Sequence, residues 1–345
     1  MPTTIKDVAA KVGVSPSTVS RVLNDRPGIS PQTRERVLQA AQELNYSPSI
    51  AARSLATART YSIGYIGYKY NSSSPADFRP SDVTSSTLEG IDEELTRRSY
   101  HMLITYADKE TVKRLDVPNM VRQSRVDGLI LNGPVFSPRF ILQLRNTGLP
   151  IVLIDNRLNE TAIDCVLCDN EGGAYQAVKH LIEHGHECIL FLSGPAGWLS
   201  SHERAAGYRH AMHEAGLEPH VLFMSNTIVA TGGEAMLTAL EEYPGLTAVM
   251  AVNDATAVGA IQACQRAGRI VPDEIAVVGF DDELRAQTHT PPLTTVRIYW
   301  HEIGIQAARR IVDLIERDNQ VPIRMRLAVE LIIRQSCGCN TTSSI

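Results

Sequence analysis

Residues 14–24 read Val-Ser-Pro-Ser-Thr-Val-Ser-Arg-Val-Leu-Asn, and this stretch decides the fold of the N-terminal end. Ser15 is a favourable helix N-cap and Pro16 suits the first helical position, so a short helix is predicted to begin here. Its buried stripe consists of three apolar residues at helical spacing, Val19, Val22 and Leu23.

Similar start signals flank that helix on both sides. Upstream, Thr4 followed by Asp7 resembles a capping box, and Gly13 is expected to end a first helix. Downstream, Ser30-Pro31 begins a third helix. The residues predicted to face inward on that third helix are Val37, Leu38, Ala41 and Leu44. Two short helices joined by a glycine-containing turn and braced by a third helix predict a helix-turn-helix.

The outward face of the second helix has chemistry suited to a nucleic acid. It carries Ser17, Thr18, Ser20 and Arg21. Short hydroxyl side chains at a helix N-terminus can approach phosphates, and arginine can bind guanine with two hydrogen bonds. Residues 1–60 contain eight basic and four acidic residues, although the whole chain has a net charge of −5. A basic head on an acidic body favours a polyanion-binding module, with a plain three-helix bundle as the alternative.

A second DNA-related signal follows the head. Ser47-Pro48-Ser49 leads into a helix of barely two turns over residues 50–57, which is too short to be stable alone in water. Leu55 would be exposed on that helix. We therefore expect two such helices to pair on DNA, with Leu55 inserted into a minor-groove step. A simple linker is the alternative.

Three segments together resemble the LacI/GalR family of bacterial transcriptional repressors: Thr4-Ile5-Lys6-Asp7-Val8-Ala9, residues 14–24, and Ala52-Arg53-Ser54-Leu55. The resemblance implies a homodimer that binds double-stranded DNA, with one head on each half of a pseudo-palindromic operator. It also implies that Pro16 and Ser17 occupy positions that vary with operator sequence, whereas Arg21 belongs to the shared reading set. The candidate DNA-binding residues are Thr4, Ser15, Pro16, Ser17, Thr18, Ser20, Arg21, Asn24, Ser30, Arg53, Leu55 and Ala56.

The rest of the chain alternates apolar, strand-sized runs with helical periodicity. The runs are Ile63–Gly67, Met102–Thr105, Gly128–Leu131, Ile151–Ile154, Cys188–Leu192, Ala248–Val252 and Ile275–Val278. Such alternation predicts the α/β class with parallel sheets covered on both faces. About 280 residues exceed one ordinary sheet, so two lobes with a ligand cleft between them are expected.

The family resemblance adds a body of the type-1 periplasmic-binding-protein fold, with the chain crossing between lobes near residues 168, 298 and 328. We therefore expect a helix-turn-helix domain over 1–47, a hinge helix and linker over 48–60, a two-lobed effector-binding and dimerisation domain over 61–340, and a tail over 341–345. The first lobe would comprise about 61–167 and 299–327, and the second about 168–298 and 328–340.

Candidate effector ligands follow the predicted strands. Asp155, Asn253 and Asp281 each stand at a strand's carboxyl end, where parallel sheets place their clefts. Arg204 would add a two-pronged donor. The family's motifs imply ligand contacts at these four positions, with Trp300 lining the cleft, and Trp198 lies in a loop that could also reach it. Helix capping or strand-end hydrogen bonding is the alternative for the acids and the amide, and core packing for Trp300. Asp282 is predicted to be a helix cap.

The expected effector is a sugar-like ligand, and the expected function is repression of carbohydrate-utilisation genes. Arg204 with Asp281 favours a neutral polyol, and an aromatic content of 6% argues against a purine. Whether ligand releases DNA or promotes binding stays open, so a corepressor-dependent regulator that binds a non-sugar metabolite is the alternative. In the family the loop after the first strand of the body contacts the effector. The loop at 69–84 is longer and more polar than is usual for the family, so it does not indicate which ligand binds.

Other functional classes have little support. The sequence has no dinucleotide fingerprint, phosphate loop, nucleophile elbow or metal-ligand spacing, so no enzymatic activity, cofactor or metal site is expected. The six cysteines are expected to be free thiols. The start of the chain does not resemble a signal peptide, which favours a cytoplasmic protein over membrane insertion. A solute-binding protein is the remaining alternative, but it would leave the basic head unexplained.

Overall fold

The computed structural model describes residues 3–23, 27–46, 57, 59–69, 81–317 and 321–339. The chain divides into two compact units, Met1–Tyr61 and Ser62–Ile345. Among the described residues, no helix has the length and apolar character needed to cross a membrane.

The described part of the first unit includes three helices, α1 (Ile5–Val12), α2 (Pro16–Leu23) and α3 (Pro31–Glu43). They confirm the predicted helix-turn-helix. Their core consists of Val8, Ala9, Val12, Val19, Val22, Val37, Ala40 and Ala41. One inward prediction was wrong, because Leu38 is 48% exposed. Val37 and Ala41 lie on the buried side of α3, and Ala40 takes the place expected for Leu38.

Twelve strands lie within the described residues of the second unit. They are β1 (Ser62–Tyr68), β2 (His101–Ala107), β3 (Gly128–Asn132), β4 (Ile151–Ile154), β5 (Asp164–Cys168), β6 (Ile189–Ser193), β7 (His220–Phe223), β8 (Ala248–Ala251), β9 (Ala276–Asp281), β10 (Thr294–Arg297), β11 (Arg324–Leu327) and β12 (Glu330–Ile332).

Over the same described ranges, ten helices connect or cover these strands. They are α4 (Asp82–Arg97), α5 (Lys109–Arg114), α6 (Asn119–Arg122), α7 (Pro138–Arg145), α8 (Asn170–Glu183), α9 (Leu199–Glu214), α10 (Val229–Glu242), α11 (Asp254–Arg266), α12 (Leu284–Thr288) and α13 (Trp300–Glu316).

The strands form two six-stranded sheets, which confirms the two-lobed α/β prediction. The first lobe has the order β11-β5-β4-β3-β1-β2, and the second has β12-β10-β9-β8-β6-β7. All strand pairs of the first sheet are parallel. In the second sheet β12 runs antiparallel to β10. Central strands such as β4 and β6 are buried along their whole length, as expected for parallel strands covered by helices on both faces.

The chain passes between the lobes three times. It leaves the first sheet after β5 and enters α8, it returns from β10 through α13 to β11, and it then crosses to β12. Helix α13 packs against α4 and against β3, β4 and β5 in the first lobe. In both sheets the parallel strands' carboxyl ends therefore meet near the crossings, where a cleft is expected.

Candidate functional site

The hydroxyl groups predicted to face DNA are used to begin helices in the head. The Thr18 amide donates to Ser15 Oγ at 3.1 Å, and Ser15 Oγ lies 2.7 Å from Ser17 Oγ. Ser30 Oγ accepts from the Thr33 amide at 3.2 Å. The Thr4 amide and hydroxyl both donate to the Asp7 carboxylate at 2.7 Å. These caps fix the helix N-termini and leave exposed amide dipoles of the kind that bind phosphate.

The side chain of Arg21 is exposed on α2. Its Nη2 donates to the Pro27 carbonyl at 2.8 Å. The remaining guanidinium donors are sufficient for a two-pronged contact with a guanine edge.

The other predicted DNA-binding positions have mixed outcomes. Pro16 is exposed at the start of α2, and Thr18 and Ser20 are half-buried on the same helix. Asn24, Arg53, Leu55 and Ala56 lie outside the described residues, as does most of the predicted hinge helix.

All six predicted effector residues line one cavity of about 950 Å³ in the second unit. They are Asp155, Trp198, Arg204, Asn253, Asp281 and Trp300. The cavity lies between the two sheets, because strands and loops of both lobes contribute to its walls. The fold therefore brings into one cavity predicted residues that are up to 145 positions apart in the sequence.

Arg204 is the centre of this site's hydrogen bonding. Its Nε donates to Asn170 Oδ1 at 2.8 Å, its Nη1 donates to the Val252 carbonyl, and its Nη2 lies 3.4 Å from Asp281 Oδ1. The guanidinium carbon also lies 3.7 Å from the centre of the Phe280 ring. The sequence predicted a free fork for a ligand, and the structure instead shows a guanidinium already held by the protein.

The cleft carboxylates are in an environment that favours their neutral form. Burial raises the pKa of Asp155 to about 7, although the nearby Arg204 charge opposes the shift. Burial also raises the pKa of Asp281 well above its usual value. Asp155 Oδ1 is buried without a hydrogen-bond partner among the described residues. An unpartnered buried oxygen facing a polar cavity is a natural acceptor for a ligand hydroxyl.

The backbone at these positions supports the same interpretation. Asp155 and Asp281 have φ values of 53° and 110°. Such left-handed conformations are costly for residues other than glycine and cluster at binding sites.

Asn253 and the two tryptophans also line the cavity. Asn253 Oδ1 caps α11 by accepting from the Thr256 amide at 2.9 Å, and its Nδ2 donates to the Thr227 carbonyl at 3.2 Å. The capping alternative therefore holds for Asn253, which still lines the cavity. Trp300 is 8% exposed, and its indole N–H has no partner among the described residues. Trp198 precedes α9 at the opposite wall.

Asp282 is not a helix cap. Its two carboxylate oxygens bind Arg297 Nε at 2.7 Å and Arg334 Nη2 at 2.6 Å. The acid follows a strand and its φ is 58°, so it joins β10 to the segment after β12 instead of starting a helix.

Sequence reasoning missed several cavity residues. Asn132 ends β3 and donates to the Tyr65 hydroxyl at 2.9 Å, so the strand-end rule could have identified it. Tyr65, Tyr68 and Tyr106 add three aromatic rings to the two tryptophans. The low aromatic fraction of the whole chain is thus a poor guide to the cleft. The predicted 69–84 loop lies mostly outside the described residues, but its Ser81, Val83 and Thr84 line the cavity.

The charges of the cavity wall are balanced. Its lining contains three carboxylates (Asp155, Asp281 and Glu283) and three cations (Lys109, Arg204 and Arg285). A wall of this kind provides many hydrogen-bond donors and acceptors, which suits a polar ligand with several hydroxyl groups.

A buried carboxylate connects the lobes next to the cleft. Glu203 of α9 lies 3.3 Å from Arg157 Nη1 and 3.1 Å from Arg326 Nη2, and both arginines belong to the first lobe. Asn170 donates to its other oxygen at 3.0 Å. Since Arg204 is the next residue, lines the cavity and also binds Asn170, the cavity wall and the inter-lobe ion pairs share one hydrogen-bond network.

Comparison with known proteins agrees with the two-part architecture. Residues 4–49 match the family of bacterial regulatory proteins, lacI family, and residues 178–337 match a periplasmic binding protein-like domain. The HTH-type transcriptional repressor PurR of Pasteurella multocida is 32% identical over 336 residues, covering 96% of this chain and 98% of the relative. This chain belongs to the LacI family.

Two solved structures of the family are similar along the whole chain. A complex of the transcriptional regulator CelR with cellobiose has a TM-score of 0.74 at 30% identity, covering 97% of this chain and 99% of that one. The Lac repressor dimer bound to operator and the anti-inducer ONPF has a TM-score of 0.78 at 28% identity, covering 98% and 99%. The LacI-family member described here is therefore a DNA-binding transcriptional regulator with a small-molecule site.

Proposed function

We propose that this LacI-family member is a cytoplasmic homodimer that represses carbohydrate-utilisation genes, and that a neutral sugar in the interlobe cleft switches its operator affinity. The observation that carries the proposal is the cleft wall, in which strand-end polar groups, balanced charges and aromatic faces line one cavity. Sugars are bound by paired donors and acceptors with an aromatic ring against their apolar face. The CelR complex, whose ligand is cellobiose, is a relative with this fold.

The proposed mechanism couples ligand contacts to lobe closure. A sugar hydroxyl would donate to Asp155 or Asp281 and accept from the remaining donors of Arg204. The Glu203 pairs with Arg157 and Arg326 would then transmit the adjustment to the first lobe. In a dimer such as that of the Lac repressor, movement of the first lobes would change whether both heads fit their half-sites.

A purine corepressor is the second candidate. Five aromatic side chains line the cleft, enough to stack on a planar heterocycle, and PurR is a relative with 32% identity. The balanced charge does not distinguish between the two ligand classes, but the number of carboxylate and guanidinium groups favours a ligand with many hydroxyls.

Intrinsic fluorescence provides a direct test of the ligand class. The chain contains two tryptophans and both line the cleft, so occupancy should change their emission. We expect saturable changes with one of a panel of neutral mono- and disaccharides, including cellobiose. If tryptophan emission changes saturably with a purine base or nucleoside and with none of the sugars, the ligand is a purine corepressor and not a sugar.

A matched pair of variants tests whether the sugar binds in the cleft. Asp281→Asn should weaken sugar binding by about 10- to 100-fold, because it replaces a carboxyl oxygen with an NH₂ group that cannot accept a hydrogen bond from the ligand. Asp273→Asn changes the same residue type at an exposed position and should leave affinity unchanged. Equal affinities for the two variants would contradict the cleft assignment.

A further inference from the structure

Two histidines and two cysteines that do not line the effector cavity meet at the end of α8. Cys339 Sγ lies 3.0 Å from His180 Nε2, and Cys337 Sγ lies 3.5 Å from the same nitrogen. One ligand atom from each of His180, His184 and Cys339 lies within 4.8 Å of the others. The cysteines and the histidines come from segments about 157 residues apart.

The local structure holds both halves of this cluster in place. His180 and His184 are four residues apart on or just after α8, so both side chains share one helix face, and their ring centres are 4.4 Å apart. On the other side, Ser336 Oγ donates to the Val277 carbonyl at 2.6 Å and accepts from the Thr294 amide at 2.8 Å. Gly338, with φ of 73°, turns the chain between the cysteines.

The surrounding hydrogen bonds orient these side chains as metal ligands are usually oriented. His184 Nδ1 lies 2.7 Å from the His180 carbonyl, which fixes the tautomer with the proton on Nδ1 and leaves the Nε2 lone pair available. A ligating histidine typically donates its second ring N–H to a carbonyl in this way. The Thr294 hydroxyl donates to Cys337 Sγ at 3.1 Å, an interaction that stabilises a thiolate.

We propose that His180, His184 and Cys339 form a Zn²⁺ site. Cys337, whose Sγ lies 3.5 Å from His180 Nε2, would complete the site as the fourth ligand through a movement of its side chain. Zinc prefers a tetrahedral set of imidazole and thiolate ligands, with Zn–N near 2.1 Å and Zn–S near 2.3 Å. Those bond lengths place tetrahedral N and S ligands about 3.6 Å apart, close to the 3.0 and 3.5 Å separations at His180. No metal site was expected, because the sequence has no set of metal ligands at the usual close spacing. Such spacing cannot show that two histidines of one helix meet a segment about 157 residues further along the chain.

The site is partly open, which gives an ion a way in. His180 and Cys337 are buried, Cys339 is half-buried and His184 is exposed. A bound ion would attach the segment after β12 to α8. Since α8 begins at Asn170, which binds Arg204, zinc would also hold the helix that supports the effector cleft.

Metal binding to the reduced, chelator-treated full chain tests the proposal. We expect one Zn²⁺ per chain, with affinity that rises with pH because binding displaces the thiol protons. Co²⁺ in its place should show the charge-transfer band of a cobalt–thiolate bond. His184→Ala and Cys339→Ser should each weaken Zn²⁺ binding by about 100-fold or more, since loss of outer partners alone typically costs 10- to 100-fold.

Cys188→Ser is the matched control, because this thiol is half-buried like Cys339 and is not in the cluster. It should bind Zn²⁺ like the unmodified chain. Should the ligand variants fail to fold, alkylation of the unmodified chain replaces them: Zn²⁺ should protect Cys337 and Cys339 but not Cys188. No stoichiometric Zn²⁺, equal affinity in all variants, or a Cys337–Cys339 disulfide that persists under reducing conditions would each overturn the proposal.

Discussion

Single residues that line the cleft also hold the fold together, and Arg204 shows this most clearly. The sequence predicted its presence in the site, but not the hydrogen bonds to Asn170 and Val252 that already occupy much of its guanidinium. Such contacts join residues 34 and 48 positions apart, and no local pattern reports them. Removal of this side chain therefore tests the fold as well as the ligand site.

We expect Arg204→Ala to destabilise the body by about 3–5 kcal/mol, because it leaves the Asn170 and Asp281 side chains and the Val252 carbonyl without the buried guanidinium that donates to them. The double variant Arg204→Ala/Asp281→Asn should recover part of that loss. Denaturant unfolding of the single and double variants gives the coupling free energy. Additive effects of the two substitutions would contradict the pairing.

A pH effect is expected at Asp155. The folded-state pKa of about 7 lies above the usual value of 3.8, so the native state binds more protons between these values. The contribution of Asp155 to stability is therefore present at low pH and is lost as pH rises through about 7. Asp254 should act in the same direction, because burial raises its pKa to about 7.

Asp155→Asn removes one of these ionisations. The variant should lose about 2 kcal/mol less stability than the unmodified chain between pH 5 and pH 8. Urea unfolding at the two pH values measures the difference. The exposed Asp273→Asn is the control, and an identical pH dependence for all three proteins would rule out the assigned pKa.

At the scale of elements, the helix starts were the most predictable feature. Ser15-Pro16 and Ser30-Pro31 begin α2 and α3 where the capping rules placed them. Fully buried strands such as β4 were recognisable as apolar runs. Strand β11 was missed because two arginines interrupt its apolar residues. Strand β7 was missed although Val221-Leu222-Phe223 is an apolar run, because that run is only three residues long within the strand.

The prediction that α2 contacts the operator bases can be tested at Arg21. Arg21→Ala should weaken specific operator binding by about 10- to 100-fold, as expected for loss of a two-pronged base contact. Its binding to non-specific DNA should change much less. Because Arg21 is exposed and its one described bond is to the Pro27 carbonyl, the thermal stability of the head should be preserved. Unchanged operator affinity would remove Arg21 from the reading set.

At the scale of the whole molecule, the alternation of strands and helices predicted two α/β lobes and the cleft between them. It did not predict the ion pairs that connect the lobes, since Glu203 is 46 positions from Arg157 and 123 from Arg326. Those pairs place a buried charge between the ligand wall and the first lobe. A change in the relative position of the lobes would directly alter the distances in these ion pairs.

Glu203→Gln keeps the side chain's shape while weakening both pairs. We expect apparent effector affinity to fall by about 5- to 20-fold, within the usual range of coupling free energies. Operator affinity without effector should change less. The exposed Glu218→Gln serves as the control. A variant at position 203 that responds like this control would show that the pairs do not transmit the signal.

The central claim is that ligand in the cleft controls DNA binding, and fluorescence anisotropy tests it most directly. The full chain is titrated onto DNA from upstream of its neighbouring genes, with and without the sugar that changes tryptophan emission. We predict tight binding that weakens steeply with salt and changes by at least about ten-fold when the sugar is added. A fall identifies an inducer and a rise identifies a corepressor. Tight operator binding that is the same with a saturated and an empty cleft would contradict the account.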